Sequence, residues 1–250
     1  DLHSFPTRRS SDLHIALPGT VLTSFYLRGE GGLSESAPPG NSPPRSFDYD
    51  PRHPVPTIGG TVTSGQPVMV GGAFDQRESP AFFGSRAPYG PLASRADVLV
   101  FQTAPLASDV EVTGAIEADL WIASSCPDTD FTIKLIDVYP PNEDYPDGYA
   151  MNLTDGILRC RYRDSWERPT PMTPGQVYRI EVTAFPTSNL FKRGHRIRLD
   201  VSSSNFPHFD LNLNTGAAEG AGGEMRVATN RVFVDEQRAS RVVLPLIRRA

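Results

Sequence analysis

Between Gly194 and Asn212 the chain reads GHRIRLDVSSSNFPHFDLN, which gathers His195, His208, Ser202, Ser203, Ser204, Asp200 and Asp210 into nineteen positions. These are the residue types of nucleophilic hydrolysis. That chemistry needs an exposed, strained serine beside a base, a carboxylate behind the base, and donors for the oxyanion. The G-x-S-x-G elbow that presents such a serine between a strand and a helix occurs nowhere in the sequence. Read as backbone, the stretch is a strand with Ile197, Leu199 and Val201 on its inner face. Ser202 to Ser204 extend it until Pro207 ends the ladder. His195, at the strand entrance, is expected to hydrogen-bond a turn. His208, past the proline, is expected to be exposed or docked on a partner. No catalytic residue is assigned.

Other clusters raise other chemistries. Asp128 and Asp130, with the acidic turn Glu143, Asp144 and Asp147, are oxygen donors of the kind calcium uses. Their spacing matches no calcium loop, and Asp147-Gly148 suits a tight turn. Asp130 is expected to satisfy backbone amides or a nearby arginine. Arg159, Arg161 and Arg163 recur at period two, which predicts one strand face bearing a salt-bridge ladder, with an anion site as the rival reading. Trp121, Trp166, Tyr139, Tyr145 and Tyr149 could stack on sugars, or equally bury area within a sheet. Gly-rich GAAEGAGGE (216–224) lacks the Lys-Ser/Thr of a phosphate loop. Cys126 and Cys160 read as two ordinary thiols. No metal or cofactor is assigned.

The elements that must position these groups are strands. Apolar residues repeat at every second position in TVLTSFYL (20–27), DVLVFQ (97–102), DVEVTG (109–114), AIEADLWIASS (115–125) and DFTIKLIDVYP (130–140). The pattern continues in YAMNLT, GILRCRYR, QVYRIEVTAFP (176–186), HRIRLDVSSS, RVFVD and SRVVLPL. Charged residues such as Arg196, Arg198 and Asp200 alternate with the apolar set. No run of eleven residues has helical periodicity. About ten strands with one apolar face each predict two antiparallel sheets packed face to face, an all-β jelly-roll sandwich. Residues 37–96 form a long Pro/Gly-rich loop, and five prolines from Pro38 to Pro51 argue against any regular element there.

With 250 residues the chain can bury a core without staples. A formal charge of -5 and a pI near 5.6 argue against nucleic acid as a partner. The longest uncharged stretch, Pro54 to Phe74, is rich in Gly, Thr and Ser and unsuited to spanning a membrane. Residues 1–13, with SFPTRRSSDL, lack periodicity and resemble translated adapter sequence. They are set aside, and the domain is expected over 14–250.

Four stretches carry a family resemblance: FDYDPRHPVPTIGG, DVLVFQTAPLASDVEVTGAIEADLWIASSCPDTDFTIKLIDVYP, MNLTDGILRCRYRDSWERP, and TPGQVYRIEVTAFPTSNLFKRGHRIRLDVSSSNFPHFDLNLNTG. From about residue 17 to its end the chain resembles the C-terminal domain of the family of X-prolyl dipeptidyl aminopeptidases, cocaine esterase and glutaryl-cephalosporin acylases. The resemblance implies a non-catalytic, galactose-binding-like jelly roll that braces an upstream α/β-hydrolase domain missing here. Oligomer contacts are a second implied role. It places the Asp48 to Gly60 segment at the junction between the domains, with Phe47, Asp48, Tyr49, Asp50, Pro54, Val55, Pro56 and His208 as interface candidates. Two rival readings are a stand-alone carbohydrate-binding module and a small complete enzyme built around His195 or His208.

Overall fold

The computed structural model describes residues 17–66 and 68–247, so the 1–13 segment lies outside it. Eleven strands account for the regular structure: β1 Thr20–Leu27, β2 Leu33–Ser34, β3 Arg45–Tyr49, β4 Leu99–Gln102, β5 Val110–Ser124, β6 Asp130–Tyr139, β7 Tyr149–Arg159, β8 Tyr178–Phe191, β9 Arg196–Ser202, β10 Ala228–Val232 and β11 Arg241–Ile247. Among the described residues the only helical turns are 3-10, at Leu92–Ser94 and Cys160–Tyr162. The antiparallel order is β2-β1-β11-β5-β8-β7-β6-β9-β4, with β10 joining the far end of β5 and β3 pairing β10.

The path folds over at the β7–β8 seam, where the ladder shrinks to the single pair Gly156↔Ala184. One layer, β1-β11-β5-β8, turns Val242, Leu244, Val112, Ile116, Leu120 and Val182 inward. The other, β7-β6-β9-β4, answers with Phe131, Ile133, Leu135, Leu199, Val201 and Phe101, all in one core. This is the predicted all-β jelly-roll sandwich with long Pro/Gly-rich loops.

Several boundaries differ from the sequence reading, each for a local reason. DVEVTG and AIEADLWIASS are one strand. Gly114 has φ +139, and just beyond it Ala115 alone faces Phe185 and Pro186, a bulge on β8 whose extra residue lets Pro186 lie within that strand. YAMNLT and GILR are likewise one strand, β7, with the extra residue Leu153 bulged out. CRY is a 3-10 turn, so the three arginines do not share a strand face. A regular element does occur between Pro38 and Pro51. β3 fits between Pro44 and Pro51 because the prolines flank it, and it pairs on one edge only, with β10.

The seam sets a strict steric limit. A Cβ on Gly156 would lie 2.2 Å from the Thr183 carbonyl oxygen and 2.8 Å from Ala184 Cα. Gly156→Ala is therefore expected to destabilise the chain by about 2–3 kcal/mol, or roughly 5–10 °C in Tm, through backbone overpacking. Gly29→Ala, whose Cβ would meet only Ser42 at 3.6 Å, should leave the melt in place. Equal thermal melts for the two variants would refute this account of the seam.

Candidate functional site

The outer face of the β6–β9 ribbon is where the structure departs most from the sequence. Lys134 pairs with Asp200 and Ile136 with Arg198 across these strands. The alternation predicted for β9 holds, yet its polar side is not solvent-facing: Lys134, Arg198, Asp200 and, on β7, Asp155 are all buried. The Pro/Gly-rich segment lies over them. Val55 N–H donates to Ser204 Oγ (2.9 Å), Thr57 N–H donates to the Phe206 carbonyl (2.7 Å), and Ser202 Oγ donates to the Asp97 carbonyl (2.6 Å). Val55, Ile58, Leu92 and Val98 form a second, small apolar core under this cover. Inside it, Lys134 Nζ donates to Gln76 Oε1 (3.1 Å), and Gln76 Nε2 donates to the Ile58 carbonyl (2.9 Å). Arg198 grips Asp200 through Nε (2.6 Å) and Nη2 (2.5 Å). Burial pushes the Lys134 ammonium down to about 8, although Asp155 and Asp200 pull the other way.

The serines and histidines of residues 194–212 are engaged in this architecture. Ser202 and Ser204 tie the wrapping segment down, and Ser203 Oγ accepts from Asn230 Nδ2 (2.8 Å). His195 does not bond a turn through its ring. Its Nδ1 lies 2.8 Å from Asp137 Oδ1 on β6, beside the Tyr139 ring, because its place at the start of β9 faces that strand. Asp137 also accepts from Asn189 Nδ2 (3.0 Å), and burial raises its pKa against both hydrogen bonds. His208 is neither exposed nor free to dock. Its side chain is 8% exposed, sits 3.3 Å from Asp155 Oδ1, and stacks between Phe209 and Phe185. The imidazole–carboxylate pairs exist, but the neighbouring hydroxyls hold backbone and Asn230 instead.

The interface candidates divide. Phe47, Tyr49, Val55 and Pro56 are buried within the chain itself, Phe47 edge-on to Phe131, and are unavailable to a partner. The reason is period two in β3: Phe47 and Tyr49 point inward while Asp48 points out. Asp48, Asp50 and Pro54 reach the surface, and both aspartates line an open groove with His53, Arg95 and Asp97.

Near the start of β6 the arginines form a clasp instead of a ladder. Arg159 places Nε and Nη2 on Asp130 (both 3.1 Å), and Nη1 and Nη2 on Asp210 and Glu219 (3.0–3.3 Å). Arg161 grips Asp128 through its amide (2.9 Å) and Nε (2.7 Å), and Arg163 lies over the Tyr178 ring. Asn212 Nδ2 bridges Asp128 and Asp130 at 2.7 Å each. Burial lifts Asp130 to about 6 while Arg159 and Asn212 pull it down. The clasp thus ties the Gly-rich 215–224 loop to the sandwich. Tyr139, Tyr145 and Tyr149 pack on one another, two of the three contacts edge-on, and form no flat platform. Trp121 is half-buried, whereas Trp166 is 74% exposed. Cys126 and Cys160 are buried, unpaired thiols.

Residues 8–243 match the family described as the X-Pro dipeptidyl-peptidase C-terminal non-catalytic domain. The chain is 41% identical over 245 residues to cocaine esterase of Rhodococcus sp. (strain MB1 Bresler), covering 93% of this chain and 39% of that protein. It is 31% identical over 172 residues to a putative serine esterase of Mycobacterium tuberculosis (strain CDC 1551 / Oshkosh), covering 62% of this chain and 25% of that one. Among solved structures, an α-amino acid ester hydrolase superposes with a TM-score of 0.77 at 30% identity, over 90% of this chain and 36% of that one. An aminopeptidase from a marine-sediment Thaumarchaeota archaeon gives 0.76 at 28%, over 91% and 37%. The chain therefore spans about two fifths or less of each of these relatives.

Two outcomes follow from the buried charges. A lysine whose folded pKa lies near 8, against 10.5 for the free side chain, binds fewer protons folded than unfolded between those values. Its penalty is full below pH 8 and is relieved as pH rises toward 10.5, by about 3 kcal/mol at most. Urea melts should show the wild type gaining stability over that range relative to Lys134→Met; parallel curves would refute the assignment. Arg159→Met, which frees Asp210 and Glu219 and strands Asp130, should speed amide hydrogen exchange across residues 210–222 while leaving β5 and β8 protected. Unchanged exchange in that loop would show that the clasp does not restrain it.

Proposed function

The chain belongs to the family of X-Pro dipeptidyl-peptidase C-terminal non-catalytic domains, and we propose that it braces the catalytic domain of a serine hydrolase cleaving an ester, amide or X-prolyl bond. The observation that supports this reading best is the commitment of Ser202, Ser203, Ser204, His195 and His208 to holding the fold. A nucleophile needs its hydroxyl beside a free base, and here each hydroxyl holds backbone or Asn230. Relatives named as esterases extend well beyond the matched region, which leaves room in them for the chemistry.

The docking surface in this reading is the rim made by Asp48, Asp50 and Pro54. Behind it, Phe47, Tyr49 and Val55 anchor the segment in the core, so the rim is presented by a rigid backing. Rigid presentation limits the ordering entropy lost on docking. Deleting Asp48 to Gly60 would remove core residues as well as surface, so point substitutions are the cleaner test.

The purified chain is expected to release no p-nitrophenol from p-nitrophenyl esters above buffer. In a full-length polypeptide carrying this domain, Asp50→Ala with Pro54→Gly should lower ester hydrolysis several-fold and lower the Tm of the catalytic portion. Turnover by the chain alone that vanishes in His195→Ala would replace this reading with a small complete enzyme. Undiminished activity in the double variant would remove the rim from the interface.

A further inference from the structure

The loop at 79–86 gives two neighbouring phenylalanines opposite roles. Phe82 packs edge-on to Phe74, with centroids 5.4 Å apart, against the small core of Val55, Ile58, Leu92 and Val98. Phe83 is 46% exposed, and its ring lies 6.0 Å from that of Phe206. The turn is held by its own backbone: Phe82 N–H donates to the Ser79 carbonyl and Ser85 N–H to the Phe82 carbonyl, both at 3.1 Å. Phe206 is fixed from the wrapping segment, donating to the Val55 carbonyl (2.9 Å) and accepting from Thr57 N–H (2.7 Å). The backbone under both rings is ordered.

The apolar surface continues along the chain from Phe206. Pro207 follows it, half-buried, and His208 then stacks against Phe209 (4.2 Å between centroids) and Phe185 (6.4 Å). Phe209 is half-buried and Phe185 is 46% exposed. Four phenylalanines and a proline thus reach water together. A single exposed ring needs no explanation, whereas a group of them backed by fixed turns marks an interaction surface.

Two observations say what covers it. Arg86, in the same loop as Phe83, donates from Nη2 to the Arg52 carbonyl (3.2 Å) and meets His53 Nδ1 through Nη1. The aromatic loop is therefore tied to the strip that carries Asp50 and Pro54. An apolar centre enriched in aromatic rings beside a polar rim is the anatomy of a protein interface. The second observation is length. The match covers 39% of cocaine esterase, so more than half of that relative lies outside it. A domain tethered to this one is present at about millimolar effective concentration and reaches the surface ahead of a second copy. We propose that Phe83 and Phe206, with Pro207, Phe209 and Phe185 beside them, are the apolar centre of the surface that docks on the catalytic domain, with Asp48, Asp50 and Pro54 as its rim. This rests on the bracing reading and adds the residues that carry most of the docking energy, since buried aromatic anchors outweigh rim contacts.

Amide hydrogen exchange, compared between the 250-residue chain and a full-length polypeptide carrying this domain, tests it. Residues 79–86 and 205–210 should exchange about tenfold more slowly in the full-length protein. Phe83→Ser should remove most of that protection and lower the Tm of the catalytic portion by several degrees. The same substitution in the 250-residue chain should leave its melt in place, because the ring it removes is not in either core. Protection confined to residues 48–54 would overturn the proposal and leave the bracing reading standing. Equal exchange throughout the two proteins would overturn both. Two further results would overturn the proposal: wild-type protection and Tm in full-length Phe83→Ser, or concentration-dependent protection of 79–86 in the 250-residue chain alone, which would make a second copy the occupant.

Discussion

The structure depends on the burial of a charged strand face. Lys134, Arg198, Asp200 and Asp155 stand on the outer side of β6, β9 and β7, where a two-layer sandwich ordinarily meets water. Charges removed from water are tolerated only when paired and fully hydrogen-bonded. Here Arg198 pairs with Asp200 within the ribbon, Lys134 donates to Gln76 of the wrapping segment, and Asp155 faces His208, its Oδ1 alone left without a hydrogen bond. The Pro/Gly-rich stretch is therefore a third layer of the fold. Removing it would uncover Val55, Ile58, Leu92 and Val98 together with an unpaired ammonium.

This constraint explains how a segment rich in Pro and Gly becomes a rigid platform. Its prolines keep it from continuing the sheet, while their fixed φ reduces the freedom lost on ordering. Its own apolar residues supply a small core, and Arg95 closes it by bridging Glu78 (3.1 Å) and Asp97 (2.8 Å). The clasp at Arg159 repeats the arrangement, with a buried carboxylate and an arginine restraining a Gly-rich loop that lacks apolar anchors. The Gly-rich loop is held by charge pairs rooted in the sandwich, and the wrapping segment is closed by charge pairs of its own. Such pairs fix position more than they stabilise.

Period two made the sandwich legible, because Phe131, Ile133 and Leu135, or Ile197, Leu199 and Val201, show which side faces the core. The same pattern cannot say whether the other side is bare. Arg198 and Asp200 look like surface residues in sequence, and only the register Lys134↔Asp200 and the overlying Gln76 reveal otherwise. Apparent strand breaks mislead for a similar reason. Gly114 and Asp155 resemble strand ends, but a bulge absorbs the first and His208 faces the second. β3 is hidden in the sequence because Pro44 and Pro51 read as excluding structure, when they border five residues that pair on one edge. The serines were legible as strand residues, while their particular partners, Asp97, Asn230 and Val55, lie 27 to 149 positions away.

Those long-range partners bear on why hydrolytic chemistry is poorly suited to this ribbon. A serine that accepts a buried backbone N–H, as Ser204 does from Val55, cannot turn toward a base without leaving that donor unsatisfied, at about 1–3 kcal/mol. Ser202 is held likewise by the Asp97 carbonyl, and His195 by an aspartate that Asn189 also fixes. Each group needed for a triad is already the second half of a structural hydrogen bond. Freeing one would loosen the cover over Lys134, Arg198 and Asp200 or the β6–β9 junction. A fold that uses its serines, histidines and aspartates to seal a charged layer is stiff where they lie, which is what the proposed bracing role requires.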